Sequence, residues 1–355
     1  MNSTKYFVFL LLLLLLPSGC KKEKKKENES ASSHLANGML VLNEGLMNMN
    51  NSSLSWVDFA AGTVNKEFFL QKTGRLLGDT GNDMKRYGGK IYVVVNVSST
   101  IEVLDVHTGK PVKQVSMLQN GINKQPRYIE FYKDKAFISC FDGYVDVLDT
   151  TSLEVVQRIK VGTNPDCIVM SGNKLFVSNS GGLNTPLMDS TVSVIDADAM
   201  TELTKVRVGM NPGSIKVLNG KVYVVTRGNY STVPSRMKRV DIASLQQDQA
   251  YPFNASEVIN FNNQLLIADY SYVSSEVKIA LFNPATNSIE NPDYMNLSGV
   301  TTFYGMIYRA STNELYVKDA QSYTNSGYIH VYSSGGAYKK KYNVGLNPNS
   351  ILFYD

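Results

Sequence analysis

Five carboxylates, Glu44, Asp83, Asp166, Asp269 and Asp319, fall in or beside polar segments of the sequence. Pairs of such groups are what a hydrolase or lyase uses as acid and base. Nothing else in the sequence supports catalysis. Of the three histidines, His34 lies in a polar N-terminal stretch, His107 in a turn and His330 inside an apolar strand, so a histidine triad, general base or zinc site finds no partners. Cys140 and Cys167 lack metal-ligand spacing and are too few for a disulfide scaffold; two ordinary buried thiols are expected, with a bridge between them left open. A second set of acids, Asp58, Asp105, Asp149, Asp196 and Asp241, recurs where an apolar strand turns back, and a short carboxylate there accepts backbone N–H groups. These are turn residues, and the chain is read as a non-enzyme without a cofactor or bound metal.

The residue types that remain suit binding. Arg227, Tyr230, Tyr270, Tyr272 and Tyr323 lie in long Asn- and Ser-rich segments, together with Asn179 at the head of "SNSGGLNTPLMDS". Asp83, Arg127, Tyr128, Asp166 and Tyr304 fall in shorter segments. Tyrosine gives rigid contact area with one polar tip, and Asn and Ser adapt their hydrogen bonds, as in antibody paratopes. These eleven residues are the candidate ligand contacts, for a large uncharged or amphipathic molecule rich in amides or hydroxyls.

A repeat positions them. Its clearest unit, "NPGSIKVLNGKVYVVTRG" followed by "SRMKRVDIASLQQ", reads as an alternating strand, an Asn-Gly turn, a β-branched strand, a loop and a third strand ending in Asp. Val41, Tyr92, Phe137, Phe176, Tyr223, Leu266 and Tyr316 occupy one place in seven copies, 39 to 51 residues apart. Each interval holds four strands and their turns. Four-stranded units repeated radially are a β-propeller, so the expectation is all-β with seven blades. The segment "VGLNPNSILFYD" supplies the inner strand that the first copy at Asn37-Gly38 lacks. Ser350 to Tyr354 should pair with Met39 to Asn43 and close the ring without an exposed edge. In such a ring the loops from second to third strand and those between blades share a face; all the long insertions fall there, so function is expected on it.

Residues 37–355 form the propeller in this reading. Before it, a charged Lys5, an apolar run from Tyr6 to Leu16 too short to span a bilayer, and a small-residue stretch read as an export signal over residues 1–19. The polar stretch 20–36 cannot bury a core and reads as a tether. Six lysines against three glutamates in residues 1–30 account for most of the net charge of +4, leaving 29 basic and 28 acidic groups elsewhere. That balance gives no nucleic-acid footprint.

Two resemblances follow from these motifs. Pro17-Ser18-Gly19-Cys20 resembles the lipobox of bacterial lipoproteins, which implies lipidation of Cys20 and a membrane anchor. The "VGTNP", "VGMNP" and "VGLNP" boxes, with "LD" or "ID" strand ends, resemble the bacterial YVTN or YncE-like seven-bladed propellers over roughly residues 37 to 355. Taken with the leader, the "VLNEG" opening and the long loops, they look like the propeller lipoproteins of gut Bacteroidetes, whose best-understood members are the surface cobalamin-binding proteins of the BtuG type. That resemblance implies an outer-membrane location facing the exterior. It also implies capture of vitamin B12 or a related corrinoid as ligand, and delivery to a TonB-dependent transporter. A glycan- or protein-binding surface propeller is the alternative.

Overall fold

In the computed structural model, residues 34–271, 274 and 276–355 are described; Cys20 with its leader, and Tyr272, lie outside them. Seven four-stranded antiparallel sheets follow one another in chain order. From inner to outer strand, blade 1 is Pro348–Tyr354, Gly38–Asn43, Ser53–Asp58 and Thr63–Asn65. Blade 2 is Gly81–Tyr87, Lys90–Val95, Thr100–Asp105 and Pro111–Ser116; blade 3 is Pro126–Tyr132, Lys135–Cys140, Tyr144–Asp149 and Val155–Lys160. Blade 4 is Pro165–Ser171, Lys174–Asn179, Thr191–Asp196 and Thr201–Arg207; blade 5 is Pro212–Leu218, Lys221–Thr226, Arg236–Asp241 and Gln246–Ala250. Glu257–Phe261, Gln264–Tyr270, Val277–Asn283 and Ser288–Met295 make blade 6. Phe303–Arg309, Glu314–Asp319, Ser326–Ser333 and Tyr338–Leu346 make blade 7.

The two middle strands of a blade are covered on both faces by the neighbouring blades, which is why second strands read as near-continuous apolar runs such as "KIYVVV". Outer strands such as "PVKQVS" are largely exposed and carry charge. Seven apolar clusters result, one at each interface between adjacent blades: Val145 and Leu175 join blades 3 and 4, for example, and Val41 and Tyr316 join blades 1 and 7. Asn219 and Gly220, at φ 50° and 71°, form the two-residue hairpin turn that needs positive φ at both positions. At the third-strand ends, Asp58, Asp105, Asp149, Asp196 and Asp241 each accept backbone N–H groups two or three residues on. Their turn role is confirmed.

Closure pairs the expected strands one residue from the expected alignment: Gly38, not Met39, stands opposite Tyr354, with Met39 opposite Phe353, Val41 opposite Ile351 and Leu42 opposite Ser350. Two features are not legible as strands. A six-residue helix, Phe68–Thr73, ends on Gly74 at φ 73° and buries Phe68 and Phe69 where the three-residue outer strand of blade 1 leaves apolar surface uncovered. A small hairpin, Leu118–Gln119 with Ile122–Asn123, rises between blades 2 and 3. The end of the expected tether touches the body: Leu35 is buried and donates its N–H to the His107 carbonyl at 2.6 Å. Cys140 and Cys167 are both free thiols.

Candidate ligand-binding face

The Asn-Pro boxes place the candidate side chains. Asn164, Asn211 and Asn347 sit at φ 43°, 57° and 54°, a left-handed conformation Asn tolerates better than other side chains. Each then turns its carbonyl toward the residue just past the second strand of its blade, accepting from Ser180 N, Arg227 N and Glu44 N at 3.1, 2.9 and 2.9 Å. Loops between blades are thereby bonded to loops within blades, and both sets meet on one face.

Charged side chains from all seven blades interact around the axis at that face, Glu44, Asp83, Arg127, Asp166, Arg227, Glu257 and Lys318 among them. Glu44 and Asp83 come from neighbouring blades, 1 and 2. There, burial raises the Glu44 carboxyl above its usual range although Tyr304 donates to it at 2.5 Å and Arg127 attracts it. Burial likewise raises Asp83 despite Lys85 and the N–H groups of Ile129 and Met84. Asp166 goes the other way. Burial disfavours its charge, but Arg127 Nε at 3.1 Å and Arg227 Nη1 at 3.0 Å, reaching in from blades 3 and 5, hold it below the ordinary value. Gly213 makes the clamp feasible, because a Cβ there would stand 2.3 Å from the Arg227 guanidinium carbon.

The candidates therefore divide. Arg127, Tyr128, Asp166, Arg227 and Tyr304 gather around the axis; Arg127 also lies over the Phe141 ring at 4.6 Å, and the neighbouring Cys167 and burial push the Tyr128 hydroxyl up. Tyr304 and Tyr323 meet edge to face at 6.2 Å. Asp83 is 6% exposed and its oxygens hold Ile129 N and Met84 N, joining blades 2 and 3. Ser214, at the same place in blade 5, bonds Val258 of blade 6 in the same manner. Asn179 is fully buried: its amide donates to Thr191 and Ser193 at 2.9 Å and accepts from Gly162 N at 3.1 Å. Asn43 holds Ser53 and Ser55 alike in blade 1. Asp83 and Asn179 thus brace the blades, as does Asp319, which accepts from Thr301, Thr302 and Gln321 backbone N–H groups. Lys85, Glu130, Lys216, Glu257 and Lys318 were missed, although for the first four charge inside the innermost strand of a repeat was a readable signal, Lys318 lying instead near the end of the second strand of blade 7; Lys85 and Glu130 form an ion pair at 2.5 Å.

A cleft of about 150 Å³ opens between the loops of blades 5 and 6, lined by Arg227, Tyr230, Ser231, Val233, Pro234, Ser235, Ala255, Ser256 and Tyr270. A broader one of about 410 Å³ lies at the rim of blade 1, between Met49–Ser53, Lys66, Phe69, Leu76 and Leu346. Of fifteen exposed large apolar side chains among the described residues, ten stand on the loops of this face: Met47, Met49, Leu76, Leu118, Ile122, Leu183, Leu187, Tyr230, Val233 and Tyr323. The opposite face, made of tight turns, has none of them.

The chain is similar in structure to hydrazine synthase of Kuenenia stuttgartiensis, at 14% identity over 76% of this chain and 88% of that one, with a TM-score of 0.63. It is also similar to a quinoprotein alcohol dehydrogenase-like protein of Bacteroides thetaiotaomicron (13% identity, 90% and 79% covered, TM-score 0.69). BamB of Moraxella catarrhalis matches as well (13%, 90% and 87%, TM-score 0.55). At such identities the likeness carries the fold alone. No curated protein matches the sequence. Residues 37–353 match the domain of unknown function DUF5074, and the chain belongs to that family.

Proposed function

We propose that this protein is a non-enzymatic, lipid-anchored binding module that captures cobalamin or a related corrinoid at the cell surface and hands it to an outer-membrane TonB-dependent transporter. The observation that carries the reading is the gathering of ten exposed large apolar side chains on the loop face, around an axis of polar and charged groups. Exposed apolar patches rimmed by polar residues mark binding sites on proteins of this kind. A corrinoid is a broad, partly apolar ring edged with amides. Tyr230, Tyr270 and Tyr323 supply ring faces for it, and Arg227 and the Ser- and Asn-rich loops supply bonds to the amides. Each such bond contributes about 0.5–1.5 kcal/mol net, so tight capture draws on several blades acting from one preformed surface. Lipidation at Cys20 holds the module at the membrane in this reading, and the protruding Leu183 and Leu187, 65% and 83% exposed, are free to bury against the transporter.

Calorimetry with cyanocobalamin at micromolar protein tests the reading. Saturable heat at one site per chain is the expected result; no heat and no retention of the ligand on gel filtration overturns it.

A further inference from the structure

The cleft between blades 5 and 6 is built differently from the rest of the face. Its floor is Arg227, whose Nη1 is committed to Asp166 while Nε and Nη2 meet no hydrogen-bond acceptor among the described residues. The guanidinium lies against Gly213, in space that any Cβ would fill, and the bond to Asp166 holds it there. The Asp166 charge is already shared with Arg127, so the trio of two arginines and one carboxylate keeps one net positive charge.

The walls are aromatic. Tyr230 is 61% exposed yet held in the left-handed region at φ 57°, and Asn211 Nδ2 donates to its hydroxyl at 3.1 Å. A bulky side chain is an outlier at such a φ, and outliers of this kind gather where the surroundings impose a geometry. Across the cleft Tyr270 is fastened through its backbone, its N–H donating to Ser256 Oγ at 3.0 Å and its carbonyl accepting from the same hydroxyl. Pro234 stiffens the loop between them. A volume of about 150 Å³ is well below the roughly 300 Å³ at which whole-ligand pockets begin. It takes one group of a larger molecule.

We propose that this cleft is a subsite for a single planar, acceptor-edged group, an aromatic amide or carboxylate, held against the Tyr230 and Tyr270 rings with its oxygen on the free edge of Arg227. The inference deepens the binding reading above and rests on it only for the role of the face. A flat ring gains from aromatic walls what a saturated ring of equal size does not, and a guanidinium edge selects oxygen acceptors over apolar substituents.

Benzamide and benzoate are the probes, followed by saturation-transfer NMR on the full chain, with cyclohexanecarboxamide as the saturated control. Both aromatic probes should bind in the millimolar range and the control about fivefold to tenfold more weakly. Tyr270→Leu and Tyr230→Ser, each checked for an unchanged melting temperature, should weaken the aromatic probes by a similar factor. Should Tyr270→Leu disturb folding, the exposed Tyr230→Ser decides alone. Equal binding of the saturated control, binding indifferent to both substitutions, or no binding of either aromatic probe overturns the subsite. Cyanocobalamin calorimetry on the same proteins separates the two claims. Corrinoid binding without probe binding removes the subsite and leaves the capture reading, whereas probe binding without corrinoid binding does the reverse.

Discussion

Asp166 links three blades through one carboxylate, being 3% exposed on its side chain while its two arginine partners are 21% and 29% exposed. Replacing it by Asn keeps the shape and leaves two guanidinium groups facing each other without a counter-charge. Breaking a fully buried ion pair costs about 3–5 kcal/mol, and the partly exposed arginines bring this case to or below the bottom of that range, about 2–3 kcal/mol. A fall in the urea midpoint of Asp166→Asn with an unchanged slope is the expected result; an unchanged midpoint would show that the clamp carries no stability. The pH dependence has a definite sign. The folded state holds Asp166 below its unfolded value of about 3.9, so its contribution is present above that pH and fades as the pH falls through the folded value. The gap between wild type and variant should therefore close in acid. Arg127, Asp166 and Arg227 could each be picked from the sequence as polar residues of the right loops, but their joining could not, because it depends on which residues of blades 3, 4 and 5 reach the axis. Asn179 and Asp83 went the opposite way for the same reason: the sequence places them at loop edges, and the packing of the next strand buries them.

At the scale of the blade, the Val-Gly-x-Asn-Pro box has a mechanical meaning. Its Asn turns the chain inward, and its Gly lets the outer strand leave the blade close against the second strand. In blade 4 a Cβ on Gly162 would stand 2.4 Å from Cγ of Asn179, and in blade 1 a Cβ on Gly345 would stand 2.6 Å from Cγ of Asn43. The collision follows the Asn that ends the second strand: in blade 5, where Thr226 stands at that place, a Cβ on Gly209 would meet Cγ2 of Thr226 at an ordinary 3.5 Å. Gly162→Ala should displace Asn179 from Thr191 and Ser193 and cost about 1–3 kcal/mol, the ordinary range for overpacking a filled site. Thermal melting checks it, and a variant as stable as wild type would mean that Asn179 yields without loss. Blade number and strand order were legible because the four-strand unit repeats seven times with apolar periodicity, and the turn chemistry because its Asp recurs at five of the seven places. The helix Phe68–Thr73 was not, because it occurs once, spans under two turns and answers to a local gap beside a short outer strand.

For the whole molecule the deciding element is the strand Pro348–Tyr354. It faces Gly38–Asn43 across six paired positions, and its side chains enter two interfaces at once: Ile351 and Phe353 the cluster between blades 1 and 7, Leu352 and Tyr354 the one between blades 1 and 2. Its polar side chains also hold the neighbouring inner strand, since Ser350 Oγ donates to the Met84 carbonyl and Asn349 Nδ2 to that of Asn82. Removing Val344–Asp355 would bare Met39, Leu40, Val41 and Leu42, all fully buried, and open an edge in a ring whose stability depends on having none. The loss should spread through all seven blades, so the shortened protein should show no cooperative melting transition and no saturable corrinoid or probe binding. A shortened protein that melts at the wild-type temperature would refute closure as the source of stability. A permuted chain separates loss of the strand from loss of length: Tyr354 joined to Gly38 through an Asn-Gly turn, with new ends opened at the turn before Glu314. Tyr354 already faces Gly38, and Asn37 stands at φ 47°, close to the 50° of Asn219 in the native turn of blade 5. With the strand held by a covalent turn, the permuted protein should fold and melt cooperatively. Failure of the permuted chain alongside the shortened one would place the requirement in the order of the blades along the chain and not in the pairing of its ends.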